Sequence, residues 1–366
     1  MSVQVSLKKQ SLFFLVAILF ILGIVEIGTR IYEVTTEDCF YLNSDATKEL
    51  DFEFKKNMCE QSELVKIIEL PVLSYEPNQD LFSIKINSFG FRGEEFSLEK
   101  ETDTFRIFMV GGSTTFGSGA TSNEKAIPAQ LEKKFVENGY KVEIINAGVG
   151  AADSREEAYK IKYDYKKYEP DLFIIYDGWN DSFKKLDERP LDPNITRLED
   201  KNSKKSDLQL WISQNMKLYR TVFVLYPIIV HNQIALSMND ETYGENARIW
   251  SERWSDVCKE NNSENIDTII LLQSAAGTGS KPLSVDEKLH ADYIKSIKIL
   301  EQLEFFSKKL PIEFCTASFD MRNAFDNDAR PIYYDGIHMN DLGNEIMANS
   351  IYEKVEPTIK NKLIKY

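Results

Sequence analysis

Short apolar runs alternate with amphipathic stretches over most of the chain from residue 104 onward. The apolar runs predict strands at residues 105–110, 142–145, 172–176, 268–272 and 312–316. The amphipathic stretches predict helices at residues 128–137, 156–167, 247–260, 285–308 and 341–355. The run at 172–176 is apolar at every position, which is typical of a strand buried on both faces.

This alternation of strands and helices predicts an α/β fold. We expect a doubly wound, flavodoxin-like and mostly parallel sheet of about five strands flanked by helices. In such sheets ligands bind where loops leave the carboxyl ends of the strands.

An insertion at residues 182–245 interrupts the alternation. Its first half is polar, whereas its second half contains an apolar stretch, residues 222–230, that is broken by Pro227. The stretch is too short to cross a bilayer. The insertion forms either a lid over the site or a helix that packs on the core, and we favour the second.

The N-terminal region contains an unbroken apolar run from Leu12 to Val25. Extended through Thr29, the run approaches the ~30 Å of a hydrocarbon core. Lys8 and Lys9 precede it and only Arg30 follows closely, so the N-terminus should stay in the cytoplasm. We predict a cytoplasmic stub at residues 1–10 and a transmembrane signal-anchor at 11–29. A cleaved signal peptide and a buried core helix are the alternatives.

Residues 30–100 are polar and mixed, with a glycine-containing turn at 87–93. We interpret them as a connecting segment that packs on the main domain, which then occupies residues 101–360. The signal-anchor would export both, leaving the protein membrane-anchored with its main domain extracytoplasmic.

Composition restricts the possible partners of this domain. The whole chain has 44 Lys and Arg against 58 Asp and Glu, and the resulting net charge of −14 argues against nucleic acid because binding phosphates needs clustered cations. Membrane contact should therefore come from the N-terminal helix and not from a basic surface. The four cysteines at 39, 59, 258 and 315 form no C-x-x-C pair and permit two disulfides, with three possible connectivities.

Other polar motifs have ordinary explanations. Asn194 and Asn261 begin glycosylation sequons, which are common by chance. The acidic run 326–328 lacks the rest of a calcium-binding loop, so a solvated loop is favoured and no metal or cofactor is expected.

Candidate catalytic residues follow the predicted strands. Ser113 stands in Gly-Gly-Ser-Thr directly after the first strand, and Asn180 stands in Gly-Trp-Asn-Asp after the third. Near the C-terminus, Asp335 precedes His338 by three residues, a spacing at which a carboxylate can orient an imidazole. His231 and His290 have no comparable setting. Taken singly, each of these motifs is also compatible with an ordinary turn.

Together, and in this order on an alternating β/α chain, these residues resemble the SGNH (GDSL-type) hydrolase family over residues 104–355. The upstream 87–93 turn resembles its exported, N-terminally anchored branch. The chain departs from the family pattern at Gly112, where the name-giving Asp would stand, and at Ala151, where the family has a glycine.

The resemblance implies a serine nucleophile, Ser113, with His338 as general base and Asp335 orienting it. It also implies an oxyanion hole formed by the N–H groups of Ser113 and Ala151, or Gly150, together with the Asn180 side chain. Gln273, which exits another strand, is a candidate substrate contact.

The predicted function is an extracytoplasmic ester hydrolase that acts through a serine acyl-enzyme. It would remove O-acyl groups, such as acetyl, from surface glycan or cleave lipid esters. The alternatives are an O-acyltransferase that uses the same residues and a non-catalytic binding or scaffold protein with the same fold.

Overall fold

A computed structural model describes residues 6–36, 39–68, 72–191 and 233–363, together with Met216 and Leu218. Helix α1 (Leu7–Thr36) is 30 residues long. Within its segment Leu7–Ile31, a window of 18 residues has a mean hydropathy of 2.6 and no buried residue, and the segment is long and apolar enough to cross a membrane. The helix extends beyond the predicted 11–29 at both ends.

The connecting segment folds into short elements. They are helices α2 (Phe40–Asn43) and α3 (Phe52–Leu64), the 3₁₀ turn Asp45–Thr47, and strands β1 (Ile67–Ile68), β2 (Ser74–Tyr75), β3 (Gln79–Asp80) and β4 (Lys85–Ile86). Strands β1 and β2 form one antiparallel pair, and β3 and β4 form another. The Asn87 carboxamide oxygen accepts the N–H groups of Phe89 and Phe91, which fixes the turn that follows β4.

Five parallel strands form the central sheet: β5 (Phe105–Gly111), β6 (Val142–Gly148), β7 (Leu172–Asp177), β8 (Asp267–Leu272) and β9 (Ala317–Asp320). Their order is β6-β5-β7-β8-β9. Every residue of β5, β7 and β8 is buried, as expected for strands covered on both faces. The predicted flavodoxin-like, five-stranded parallel fold is confirmed.

Helices cover both faces of this sheet. They are α4 (Ser113–Phe116), α5 (Ile127–Glu137), α6 (Ser154–Lys160), α7 (Asp240–Ser263), α8 (Val285–Ser296), α9 (Ile299–Ser307) and α10 (Asp341–Ile359). A π turn (Ile161–Tyr165) and a 3₁₀ turn (Lys166–Tyr168) extend α6, and further 3₁₀ turns cover Asn123–Lys125 and Asn180–Phe183. Along β5 alternate side chains enter different cores: Phe108 packs with Trp250 and Phe306, whereas Ile107 packs with Phe135 and Ile351.

Two predicted elements are wrong. The single helix at 285–308 is two helices, because Lys298 adopts a left-handed backbone, with φ 61°, between α8 and α9. The predicted strand at 312–316 is irregular: Phe314 has φ 62° and an exposed ring, and the strand that pairs with β8 is Ala317–Asp320.

A disulfide joins Cys258 on α7 to Cys315, 57 residues later. Cys39 and Cys59 are disulfide-bonded as well. Asn261 is 1% exposed, and its amide donates to Thr268 Oγ1 at 3.0 Å. Most of the predicted 182–245 insertion, with His231 and the Asn194 sequon, lies outside the described residues.

Candidate active site

The loops at the carboxyl ends of the strands bring Ser113, Asp335 and His338 into contact. Ser113 begins α4 immediately after β5, so its side chain lies at the edge of the sheet. Its Oγ lies 2.7 Å from His338 Nε2, and His338 Nδ1 lies 2.7 Å from Asp335 Oδ2. A hydroxyl, an imidazole and a carboxylate in this order can move a proton from the hydroxyl to the ring.

Hydrogen bonds from its own loop hold the Asp335 carboxylate in place. Its Oδ1 accepts the backbone N–H groups of Ile337 at 2.8 Å and His338 at 2.7 Å. Burial acts to raise the pKa of this carboxyl, but the attraction of His338 and these hydrogen bonds outweigh burial and lower the pKa below its ordinary value. Asp335 is therefore ionised at neutral pH.

A buried ion pair supports the loop that carries Asp335 and His338. Glu287 is fully buried and pairs with Lys281 at 3.0 Å. Its other oxygen accepts the N–H groups of Ile332 and Tyr333, at 2.8 and 3.1 Å. Sequence reasoning missed Glu287, because a glutamate in the first turn of a helix is ordinary there.

Two glycines allow the elements around Ser113 to approach closely. A Cβ on Gly148, at the end of β6, would lie 2.1 Å from the backbone nitrogen of Phe116 in α4. A Cβ on Gly112 would lie 2.6 Å from Asn180 Nδ2. Asn180 thus occupies the space next to Ser113 that a side chain at position 112 would need.

The loop after β6 offers one backbone donor beside Ser113 and Asn180. Ala151 is exposed and adopts φ 64°, and no described residue accepts a hydrogen bond from its N–H. The N–H of Gly150, by contrast, donates to Tyr75 Oη at 2.9 Å. The Asn180 amide donates to the carbonyl of Ala152 at 2.6 Å, which ties it to the same loop.

Three carboxyl groups near the loop after β6 are buried, those of Glu157, Asp177 and Asp181. Asp181 accepts Ser154 N–H at 2.9 Å and Ser154 O–H at 2.5 Å, and Asp177 accepts Trp250 Nε1–H at 2.8 Å. Neither oxygen of Glu157 has a hydrogen-bond partner among the described residues. Burial raises the pKa of Glu157 and of Asp177 well above the ordinary value, and repulsion from neighbouring carboxyl groups adds to this rise.

The remaining predicted site residue, Gln273, is 4% exposed. Its amide donates at 2.5 Å to Oγ1 of Thr114, the residue after Ser113. Its substrate contact stays a prediction. In the acidic run 326–328, Asp326 accepts Ser280 N–H and Asp328 pairs with Arg330, and the described part of the chain contains no group of three potential metal ligands.

This fold and this arrangement of residues are those of a serine hydrolase with a parallel α/β sheet. The family model for GDSL-like lipases and acylhydrolases matches residues 107–351. The chain therefore belongs to that family and is a serine ester hydrolase. No curated protein matches the chain significantly.

Solved structures resemble the chain at low identity. The acetyl xylan esterase AlAXEase is 15% identical, with 69% of this chain and 100% of that one covered and a TM-score of 0.42. A lipase/acylhydrolase from Enterococcus faecalis is 15% identical, with 72% and 98% covered and a TM-score of 0.42. A two-domain esterase active on acetylated mannans is 14% identical, with 71% and 49% covered and a TM-score of 0.36.

Proposed function

We propose that this enzyme cleaves esters through an acyl-enzyme on Ser113. The observation that carries the proposal is the pair of 2.7 Å contacts linking Ser113 Oγ, the His338 ring and the Asp335 carboxylate. His338 Nε2 takes the proton from Ser113 as Oγ attacks the ester carbonyl carbon. The ring then gives that proton to the departing alkoxide, and the acyl group stays on Oγ.

Water completes the cycle by the same route in reverse. His338 removes a proton from a water molecule, the resulting hydroxide attacks the acyl-enzyme, and Oγ leaves with the proton returned by the ring. Asp335 stays ionised and stabilises the positive imidazolium in both steps.

The oxyanion of each tetrahedral intermediate is held by the N–H groups of Ser113 and Ala151 and by the Asn180 amide, which has a second N–H besides the one it donates to the Ala152 carbonyl. Ala151 is preferred over Gly150 because the Gly150 N–H already donates to Tyr75. Donors fixed before the reaction stabilise developing charge without reorganising, and one such donor is worth about 10²–10³ in rate.

We propose that the substrates are O-acetylated surface glycans, with lipid esters second. Ser113 is partly exposed and Ala151 is exposed, which suits an ester on a large polymer. Trp179, beside Asn180, is partly exposed and would offer an aromatic face to a sugar ring. The apolar helix α1 supports membrane anchoring, and the lysines that precede its apolar run, Lys8 and Lys9, favour a catalytic domain outside the cytoplasm.

Labelling with a fluorophosphonate tests the nucleophile. The full chain in detergent should label once, and Ser113→Ala should abolish both labelling and esterase activity. Ser307→Ala is the matched control and should behave as wild type, because among the described residues the Ser307 hydroxyl bonds only a carbonyl of its own helix. Undiminished activity in Ser113→Ala would refute the proposal.

The same preparation separates hydrolysis from acyl transfer. Release of acetate from acetylated oligosaccharide, compared with release from long-chain esters, ranks the two substrate classes. If acyl release requires an added sugar acceptor, the enzyme is an O-acyltransferase, which uses the same residues. If the serine never labels, the chain is a non-catalytic member of the fold.

Topology needs its own measurement. Alkaline phosphatase fused after residue 366 should be active in cells, because that enzyme folds only after export. A green fluorescent protein fused at the same position should be dark. The opposite pair of results would place the catalytic domain in the cytoplasm.

A further inference from the structure

Tyr75 lies in the connecting segment, far from the catalytic residues in sequence, yet it contacts the loop that carries Ala151. Its hydroxyl oxygen accepts the N–H of Gly150 at 2.9 Å. Its ring stacks on Phe116, the last residue of the nucleophile helix, with centroids 4.4 Å apart. One side chain thus contacts both the loop after β6 and the helix that begins with Ser113.

The surroundings of Tyr75 show that this contact is part of a packed interface. A separate hydrophobic cluster combines three residues of the connecting segment with three of the site elements: Tyr75, Ile84, Ile86, Phe116, Val149 and Ala152. Tyr75 is 5% exposed, so its ring has little freedom to move.

Arg92 strengthens the same interface through hydrogen bonds. It is 4% exposed, and its guanidinium donates to the carbonyls of Phe116 and Gly117 at the end of α4. The Asn146 amide of β6 donates to the Phe116 carbonyl as well. The connecting segment therefore fixes the end of α4 against β6, and Tyr75 extends this support to the next loop.

We infer that Tyr75 is a positioning residue for the oxyanion hole. By accepting the N–H of Gly150, it holds the loop in the conformation in which the neighbouring N–H of Ala151 has no acceptor among the described residues. Ala151 is held at φ 64°, a conformation that residues other than glycine avoid unless their surroundings impose it. The Gly150–Tyr75 hydrogen bond is one such constraint, immediately before Ala151 in the chain.

This inference rests on the proposed acyl-enzyme mechanism and deepens it. It assigns the connecting segment a part in transition-state stabilisation that acts through the loop after β6. Removal of the Tyr75 hydroxyl should therefore lower kcat while KM stays nearly constant, because the oxyanion exists only after the nucleophile has attacked.

Tyr75→Phe removes the hydroxyl and keeps the ring that stacks on Phe116. We expect kcat to fall about ten-fold, less than the 10²–10³ lost with a direct oxyanion donor, with KM within two-fold. The rate of inactivation by a fluorophosphonate, whose phosphoryl oxygen would occupy the same hole, should fall in parallel.

Tyr140→Phe is the matched control. Tyr140 is also 5% exposed, packs against Phe135 and uses its hydroxyl in a hydrogen bond, to Glu356. It lies just before the amino-terminal end of β6, whereas Ser113 follows the carboxyl end of β5. Its variant should therefore lose stability without losing kcat. A kcat of Tyr75→Phe equal to that of Tyr140→Phe would overturn the inference.

Two other results have distinct meanings. A higher kcat in Tyr75→Phe would mean that the liberated Gly150 N–H is the productive donor, which also overturns the inference. If wild-type Ser113 never labels, the proposed function itself fails, and that failure is visible before Tyr75 is altered.

Discussion

Asp335 contacts His338 twice, once at the side chain and once at the backbone. Its Oδ2 lies 2.7 Å from the ring nitrogen Nδ1, while Oδ1 accepts the backbone N–H of the same histidine at 2.7 Å. The carboxylate therefore fixes both the position of the residue and the tautomer of its ring.

Asp335→Asn keeps the size of the side chain but removes the charge that stabilises the imidazolium. We expect kcat to fall by about 10³–10⁴, since an uncharged partner also permits the wrong tautomer. Steady-state kinetics on a soluble ester measures the fall. Near-normal turnover in this variant would contradict the orienting role of Asp335.

Gly112→Ala should displace the Asn180 amide, because the new Cβ would lie 2.6 Å from Nδ2. The expected result is a loss of about 10² in kcat, comparable to the loss of one oxyanion donor. Gly244→Ala on α7 makes the same chemical change where the nearest atom is 4.0 Å away, and it should leave kcat unchanged. Equal kcat values for the two variants would exclude this steric effect.

Ala151→Gly tests the backbone of the oxyanion loop. Relief of a left-handed alanine is worth about 1–2 kcal/mol, and the added freedom of glycine in the unfolded chain costs about 0.5–1 kcal/mol. We expect a small gain in melting temperature with kcat kept within a few-fold, because the N–H remains. A lower melting temperature would show that the loop tolerates φ 64° without strain.

Glu157→Gln tests the buried carboxyl that has no described hydrogen-bond partner. Because burial raises its pKa in the folded protein, the native state keeps a proton that the unfolded chain loses above about pH 4.3. Stability should fall by up to about 1.4 kcal/mol per pH unit above that value, until the folded-state pKa is reached.

The glutamine variant lacks this proton, so its melting temperature should decline less steeply than that of wild type between pH 5 and 8. Melting curves across this range measure the difference. Glu137→Gln, on an exposed position of α5, is the control and should keep the wild-type slope. Parallel slopes for all three proteins would contradict an uncharged Glu157.

The sheet was predictable because short, largely apolar runs mark its central strands, and the run at 172–176 is apolar at every position. The break between α8 and α9 was not, because Lys298 has a left-handed backbone inside a hydrophobic pattern that continues on both sides. The last strand was misplaced since Ile312 is apolar and buried without belonging to a strand, whereas Ala317–Asp320 is recognisable only from its pairing with β8.

The proposed catalytic residues were predictable from motifs, and the residues that support them were not. Ser113 and His338 occur in short patterns whose spacing reflects the reaction. Tyr75 and Glu287 act through long-range contacts, and nothing next to them in sequence distinguishes them from ordinary packing residues.

The burial of Asn261 has a practical consequence for producing this enzyme. Its amide nitrogen, the atom that would carry an N-linked glycan, is bonded to Thr268 inside the fold. A eukaryotic secretory host modifies sequons while chains are still unfolded, and an oligosaccharide on this nitrogen has no room in the native core. Secretion from yeast or mammalian cells should therefore yield misfolded protein unless the sequon is first removed, for instance by Ser263→Ala, which leaves Asn261 in place.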